Sequence, residues 1–168
     1  MPFLFRALML WLHLLATIIW IGGLVFQVLV VFPTLARAAT GERIHFALSL
    51  EARFRVLVWP AVGLVLFTGL VNLLHVWYAT VVTAVSLSPT FLPVLSIKLA
   101  LVIGMIVLQA VQQLLVQPLR IAALRAWPVG GQDVPLALRK WQRLALVLYS
   151  ALVGLAGGVV VCAVLLRV

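Results

Sequence analysis

The chain has 168 residues, of which 66% are hydrophobic and 9% are charged, and its mean hydropathy is +1.30. A water-soluble domain of this size would not stay in solution with so little polar surface, so the composition excludes a soluble globular protein and predicts an integral membrane protein. The single cysteine, Cys162, excludes an internal disulfide and a metal site built from several thiolates.

The first apolar segment covers about residues 7–31 and predicts a transmembrane helix that ends near Pro33. It is much longer than the apolar core of a signal peptide and follows one basic residue, Arg6, so we expect it to be retained. At about 100° per residue, one face of this helix carries His13, Thr17, Trp20 and Gln27. We expect this face to contact protein rather than lipid.

His13 is the ionisable residue of this first segment. An imidazole inside a transmembrane helix is energetically costly, and such residues commonly face the interior of a bundle and take part in function. His13 is therefore a candidate functional residue. The alternative interpretation is structural, with the imidazole hydrogen-bonded to a neighbouring helix.

The second apolar segment, about residues 56–78, follows a polar connection with amphipathic spacing, residues 34–55. Pro60 predicts a bend near its start, and Gly63 and Gly69 allow close contact with another helix. One side of this segment carries three polar residues: Thr68, Asn72 and His75.

The third apolar segment, about residues 91–116, contains the membrane-embedded Lys98 and is expected to end at Pro118. A polar stripe continues from Lys98 along the same face through Met105, Gln109, Gln112 and Gln113. This stripe is expected to be buried.

The fourth apolar segment, about residues 144–166, has no charge and offers Gly154 and Gly158 as a small-xxx-small pair for helix contact. Together the four segments predict an all-α fold. We expect residues 1–168 to form one membrane domain, an antiparallel bundle of four transmembrane helices.

The positions of the basic residues predict the orientation of this bundle. Nine of the twelve Lys and Arg residues lie in the two connections at residues 34–55 and 119–143. By the positive-inside rule these loops are expected to be cytoplasmic and both termini outside. We expect the chain to lie in a bacterial inner membrane. Basic loops of this kind contact anionic lipid head groups, so the net charge of +9 does not indicate nucleic-acid binding.

This topology places His13, His75 and Lys98 in the outer leaflet, roughly 5 to 10 Å below the surface. Imidazoles from facing helices can hold a haem iron, and a lysine amine can ligate iron or pair with a propionate. The alternatives are that Lys98 extends its ammonium to the interface and that His75 is an ordinary interfacial residue. Trp20, on the face of His13, is a further candidate for lining a cofactor.

Thioethers provide a second possible ligand set. Met9 lies one turn outward of His13 on the same face, and Met105 lies on the stripe of Lys98. Methionine sulfur is a soft ligand for haem iron and for Cu(I). The metal-ligating candidates are therefore His13, His75, Met9 and Met105.

Several of these residues stand in a recognisable order. The string of His13, Trp20, Gly22 and Gly23, followed by Pro33, resembles the first helix of the copper-resistance protein D (CopD) membrane domain. The Phe67–Gly69 string and the lone Lys98 that opens the third helix also resemble that domain. The resemblance spans most of the chain and implies a four-helix membrane fold with copper handling.

The positions of His13 and Lys98 are also similar to those of HemJ-type protoporphyrinogen oxidases, a related four-helix family. This resemblance implies b-type haem, with the equivalents of His13 and Lys98 as the important polar residues.

Four functions follow as hypotheses. The first is a haem b protein that transfers electrons near the outer face, and the second is a copper-handling protein that uses His13 with Met9 or Met105. The third is a protoporphyrinogen oxidase, a membrane oxidoreductase. The fourth is a structural subunit whose polar faces pack against other membrane subunits or a second copy of the chain.

Overall fold

The computed structural model describes residues 2–36, 41–82, 88–125 and 136–166. Within these ranges the chain forms helices and no strand. Two of the helical stretches contain a short π-helical segment, which we call π1 and π2. In chain order the elements are α1 (Pro2–Phe26), π1 (Gln27–Val31), α2 (Phe32–Ala36), α3 (Gly41–Val82), α4 (Phe91–Val111), π2 (Gln112–Val116), α5 (Gln117–Arg125) and α6 (Leu136–Leu165).

Four stretches of these helices are long and apolar enough to cross a membrane: Phe3–Thr34, Ala52–Val82, Phe91–Ala123 and Arg139–Leu165. The shortest has 27 residues. A helix of that length spans about 40 Å, which exceeds the hydrocarbon core of a typical bilayer, about 30 Å. The prediction of an all-α, four-span membrane protein is confirmed.

The helices are longer than the apolar segments that predict them. The sequence places their ends at the transitions from apolar to polar residues, about residues 7–31, 56–78, 91–116 and 144–166. In the structure, helical hydrogen bonding continues into the polar connections, so that α3 begins at Gly41 and α5 ends at Arg125. The reason is that an amphipathic sequence stays helical after it leaves the bilayer.

Neither Pro33 nor Pro118 ends its helix, contrary to the sequence prediction. Each follows a π segment, in which the Phe32 N–H bonds to the Gln27 carbonyl and the Gln117 N–H bonds to the Gln112 carbonyl. A proline lacks the N–H of the normal helical bond, and its ring collides with the carbonyl one turn earlier. In the π turn the residue before each proline bonds to the carbonyl five residues earlier instead of four. The helix therefore continues past the proline ring.

The four spans pack as two antiparallel hairpins. In the first, His13 of α1 contacts Thr68 of α3, and Gly23 faces Phe54 further along both helices. In the second, Gly104 of α4 faces Leu155 of α6, and Leu101 faces Gly158. The hairpins meet through α6, which packs against α1. Gly154, the other member of the predicted small-residue pair, is exposed, and a methyl group added there would meet no atom within 4 Å.

The two ends of the bundle differ in charge. We call the end that holds Pro2, Val82, Phe91 and Leu165 the terminal end, and the opposite end the basic end. Described arginines cluster at the basic end, at positions 53, 55, 120, 125, 139 and 143. This asymmetry arises because most of the basic residues lie in the two connections at residues 34–55 and 119–143.

The core lies between the hairpins, and both predicted polar stripes face it. On α1 and π1, Trp20 is 2% exposed and Gln27 is 1% exposed. On α4 and π2, Met105, Gln109, Gln112 and Gln113 are buried. Both stripes therefore face the interior, as predicted, whereas no residue of α4 from 91 to 104 is fully buried.

Gly23 gives a test of this packing. A methyl group at Gly23 would collide with the ring of Phe54, whereas one at Gly22 would meet no atom within 4 Å. We expect Gly23→Ala to lower the free energy of unfolding by about 1 to 3 kcal/mol, the usual effect of overpacking. Gly22→Ala, the matched control, should leave it unchanged. Unfolding in mixed detergent micelles measures both, and equal stability of the two variants would contradict the packing.

Candidate functional site

The His13 side chain is held by a defined hydrogen bond to the neighbouring helix. Its Nδ1 lies 2.8 Å from Oγ1 of Thr68 on α3, and Thr68 is fully buried. The Thr68 hydroxyl donates its single proton to the Leu64 carbonyl of its own helix, at 2.6 Å. Because that proton is already used, Oγ1 accepts the bond from His13, and Nδ1 carries the hydrogen.

This arrangement leaves the lone pair of the imidazole on Nε2. A histidine that ligates a metal commonly donates its other ring N–H to an oxygen, which fixes both its tautomer and its orientation. The His13 ring is half-buried, and Gly69 lies against its Cε1 edge. His13 is therefore an oriented imidazole with Nε2 as its electron-pair donor.

Met105 is a buried thioether of the second hairpin. It is 1% exposed, and it lies eight residues, or about 12 Å, from Gln113 toward the terminal end. Gln113 is tied to α3 by a 2.6 Å hydrogen bond in which Trp59 Nε1 donates to Gln113 Oε1. Met105 therefore lies on the side of this bond toward the terminal end, as Thr68 does.

Lys98 and His75 lie nearer the terminal end. Lys98 is seven residues from Met105 along α4, and His75 is seven residues from Thr68 along α3, which corresponds to about 10.5 Å in each case. The Lys98 side chain is half-buried. His75 is exposed, so the structure places it on the surface of α3 and does not bring it to His13.

Two further predicted residues line the same interior. Met9 is buried one turn from His13 toward the terminal end. Trp20 is buried two turns toward the basic end, and its indole N–H has no hydrogen-bond partner among the described residues. Thr17 is only half-buried, and its hydroxyl is bonded to the His13 carbonyl of its own helix.

The donor set of this site is sparse. In the described part of the chain, no group of three or more His, Cys, Asp or Glu side chains is close enough to share a metal ion. Cys162 is a free, buried thiol near the end of α6. The arrangement can supply one imidazole nitrogen and one or two thioethers, and not the closed set of charged ligands that structural zinc requires.

The polar interior extends further toward the basic end than the sequence predicts. Gln117 and Arg120, which the hydropathy pattern assigns to the end of the helix and a loop, are 7% and 2% exposed. Both belong to the helix that continues past π2, and the Arg120 guanidinium lies 5.6 Å from the ring centre of Phe32. The cause of the error is the assumption that Pro118 ends the helix.

A repeated motif in the sequence marks both π segments. QVLVVFP begins at Gln27 and QQLLVQP begins at Gln112, with the same residues at the first, third, fifth and seventh positions. The same separation of 85 residues relates His13 to Lys98 and Trp20 to Met105. The first spans of the two hairpins thus share a local motif at their π segments.

Comparisons of this chain with protein-family models, with characterised proteins and with solved structures find no match. The site is therefore interpreted from its own residues and geometry. They define a multi-pass membrane protein with an oriented imidazole and buried thioethers inside its bundle.

The bond between His13 and Thr68 gives a test of the site. Thr68→Val removes the acceptor and should lower the free energy of unfolding by about 0.6 to 2 kcal/mol, the range for interhelical hydrogen bonds in membranes. It should also remove the preference for the proton on Nδ1, which ¹⁵N spectra of the histidine rings report. Thr68→Ser, the matched control, keeps the hydroxyl and should keep the wild-type tautomer. An unchanged His13 spectrum in Thr68→Val would contradict the assignment.

Proposed function

We propose that this chain is a membrane electron-transfer protein that binds b-type haem, with Nε2 of His13 as an axial ligand of the iron. The observation that carries the proposal is the pair of bonds His13 Nδ1 to Thr68 and Thr68 to Leu64, which leave the Nε2 lone pair in place. An imidazole oriented in this way is the usual protein ligand of haem iron.

The donor set fits haem better than a metal ion bound by protein alone. A haem iron takes four ligands from its own macrocycle, so one or two protein ligands complete it. His13 supplies the first, and the buried Met105 of α4 is our candidate for the second. Lys98, about 10.5 Å from Met105 along α4 toward the terminal end, is a candidate partner for a propionate.

Other residues of the chain support this role. Thr68 holds the imidazole in one tautomer and one orientation. Trp20 and Leu24, 2% and 0% exposed, line the protein interior on the side of the site nearer the basic end. When bound, a haem supplies reversible one-electron chemistry, and burial together with the axial ligands sets its potential.

The sequence resemblance points in the same direction. The string of His13, Trp20, Gly22 and Gly23, with Lys98 later in the chain, resembles the CopD domain and HemJ-type oxidases. His13 is the residue on which the resemblance and the geometry agree. Protoporphyrinogen oxidation is a narrower form of this proposal, in which the haem protein acts as an oxidoreductase.

The absorption spectrum tests the haem proposal. Protein purified from membranes of haem-replete cells should show a Soret band. His13→Ala should lose or shift that band while the helix still inserts, because removal of the imidazole makes the segment more apolar. His75→Ala is the matched control and should keep the wild-type spectrum, since His75 is exposed. A wild-type spectrum in His13→Ala would contradict the role of His13.

Copper handling is the second candidate, and one observation favours it. Met9 and Met105 are 8% and 1% exposed, so two thioethers are buried in the bundle that contains His13. Thioether and imidazole are a suitable ligand set for Cu(I). A colourless protein that retains copper through His13 and Met105 would support this function against haem. A colourless and metal-free protein would instead favour a structural subunit.

We further propose that the chain lies in a bacterial inner membrane with its basic end in the cytoplasm and both termini outside. The arginines at the basic end support this orientation through the positive-inside rule. A phosphatase fused to the C-terminus, which is active only outside the cytoplasm, should be active. A fluorescent protein that matures only in the cytoplasm should be dark at the same position. An inactive phosphatase together with a fluorescent protein that matures would contradict this topology.

A further inference from the structure

The half of the bundle near the basic end contains a buried row of glutamines. Five side chains make up this amide face, and none is more than 7% exposed: Gln27, Gln109, Gln112, Gln113 and Gln117. Gln27 and Gln112 begin the two π segments, and both segments pack against α6. π-helical turns inside longer helices frequently occur at functional sites.

Most polar atoms of the amide face have no hydrogen-bond partner among the described residues. Both amide atoms of Gln27 and of Gln109 lack one, as do Oε1 of Gln112 and Oε1 of Gln117. The indole N–H of Trp20 also lacks a hydrogen-bond partner among the described residues, whereas Oε1 of Gln113 accepts a hydrogen bond from Trp59. Buried polar groups are almost always satisfied, and the combined cost of leaving this many unpaired would rival the whole stability of a domain.

The spacing of the glutamines along the helix axis suits bridging by single water molecules. Along the helix axis, Gln109 and Gln112 are about 4.5 Å apart, and Gln112 and Gln117 are about 7.5 Å apart. A water molecule that bonds to two groups spans about 5.6 Å, because each of its bonds is about 2.8 Å long. One or two waters therefore suffice between successive amides.

A cavity opens to the surface at the basic end, next to π1. It has a volume of about 430 Å³ and lies between the end of the first span and the start of α6. Val28, the residue after Gln27, lines it on one side, and Arg139, Gln142 and Arg143 line it on the other. The cavity thus extends from a cationic surface to the level of π1, and the glutamines of the amide face lie outside its lining.

We propose that a chain of bound water molecules runs along the amide face, from Gln117 near the basic end to Trp20. Water fits because an amide offers both an N–H donor and a carbonyl acceptor, and water satisfies both. The buried guanidinium of Arg120 at the basic end opposes a metal cation in the same place. The near-complete burial of the glutamines leaves no room for an organic molecule.

The water chain has a consequence for the interior of the protein. Its last members reach Trp20, two turns from His13, and Gln109, one turn from Met105. Hydrogen-bonded water carries protons, so the chain gives protons a route from the basic end to within two turns of His13. This inference holds whether or not the protein binds haem.

The test uses the full chain in lipid bilayers with ¹⁵N-labelled glutamine and tryptophan. Water-edited solid-state NMR measures how fast each side-chain N–H group receives magnetisation from water. We expect the Gln27 and Gln109 amides to receive it several-fold faster than an amide placed in lipid. Leu114→Gln provides that reference, because Leu114 is 70% exposed on the lipid-facing side near the same level.

Single Gln27→Leu and Gln109→Leu variants identify the two resonances by their disappearance. Transfer to both amides at the rate seen for Gln142, which lines the surface cavity, supports the water chain. Transfer no faster than for the lipid-facing amide of Leu114→Gln overturns it, and would mean that the glutamines pair with one another. Because the experiment needs no cofactor, its failure is distinct from failure of the haem proposal.

Discussion

The hydrogen bond from His13 to Thr68 is the interaction on which the half of this protein near the terminal end depends. Lipid cannot satisfy a polar side chain, so each such group inside a bilayer needs a protein group or a bound water as its partner. Thr68 can accept from His13 only because its own proton is given to Leu64. The His13 imidazole, the Thr68 hydroxyl and the Leu64 carbonyl thus form a chain of two hydrogen bonds, which leaves the lone pair of the imidazole on Nε2.

The same requirement governs the half near the basic end, where the two prolines are accommodated. Pro33 and Pro118 would each disrupt a regular helix, and each is preceded by a π turn that opens at a glutamine. The repeated motif gives α1 and α4 the same local geometry, and both π segments pack against α6. As a result the polar interior continues beyond the prolines to Gln117 and Arg120.

Hydropathy and helical periodicity predict the four spans and the residues that face the interior. Trp20, Gln27, Met105 and Gln109 are buried as the stripes predict, because a polar face in a membrane helix has no favourable alternative to the protein interior. Helix ends are predicted less well, since composition does not reveal that a proline after a π turn leaves the helix intact. The repeat of Q-x-L-x-V-x-P would have indicated that both prolines have the same environment.

The site is predicted only in part, for a geometric reason. Periodicity places His75 on the side of α3 that carries Thr68, but it does not give the level at which two helices meet. The contact of His13 with Thr68 fixes that level and leaves His75 about 10.5 Å away along the helix. The partner of His13 therefore cannot be read from the titratable residues alone, whereas Met105 is a candidate because its thioether is buried.

The central claim is that His13 binds haem iron through Nε2 while Nδ1 donates to Thr68. Pulsed electron paramagnetic resonance of the oxidised protein, with ¹⁵N placed selectively at Nε2 or at Nδ1 of histidine, tests it most directly. We expect one strongly coupled nitrogen, seen with the Nε2 label and absent in His13→Gln. Strong coupling from the Nδ1 label, two coupled imidazoles, or no coupled histidine nitrogen would contradict the claim.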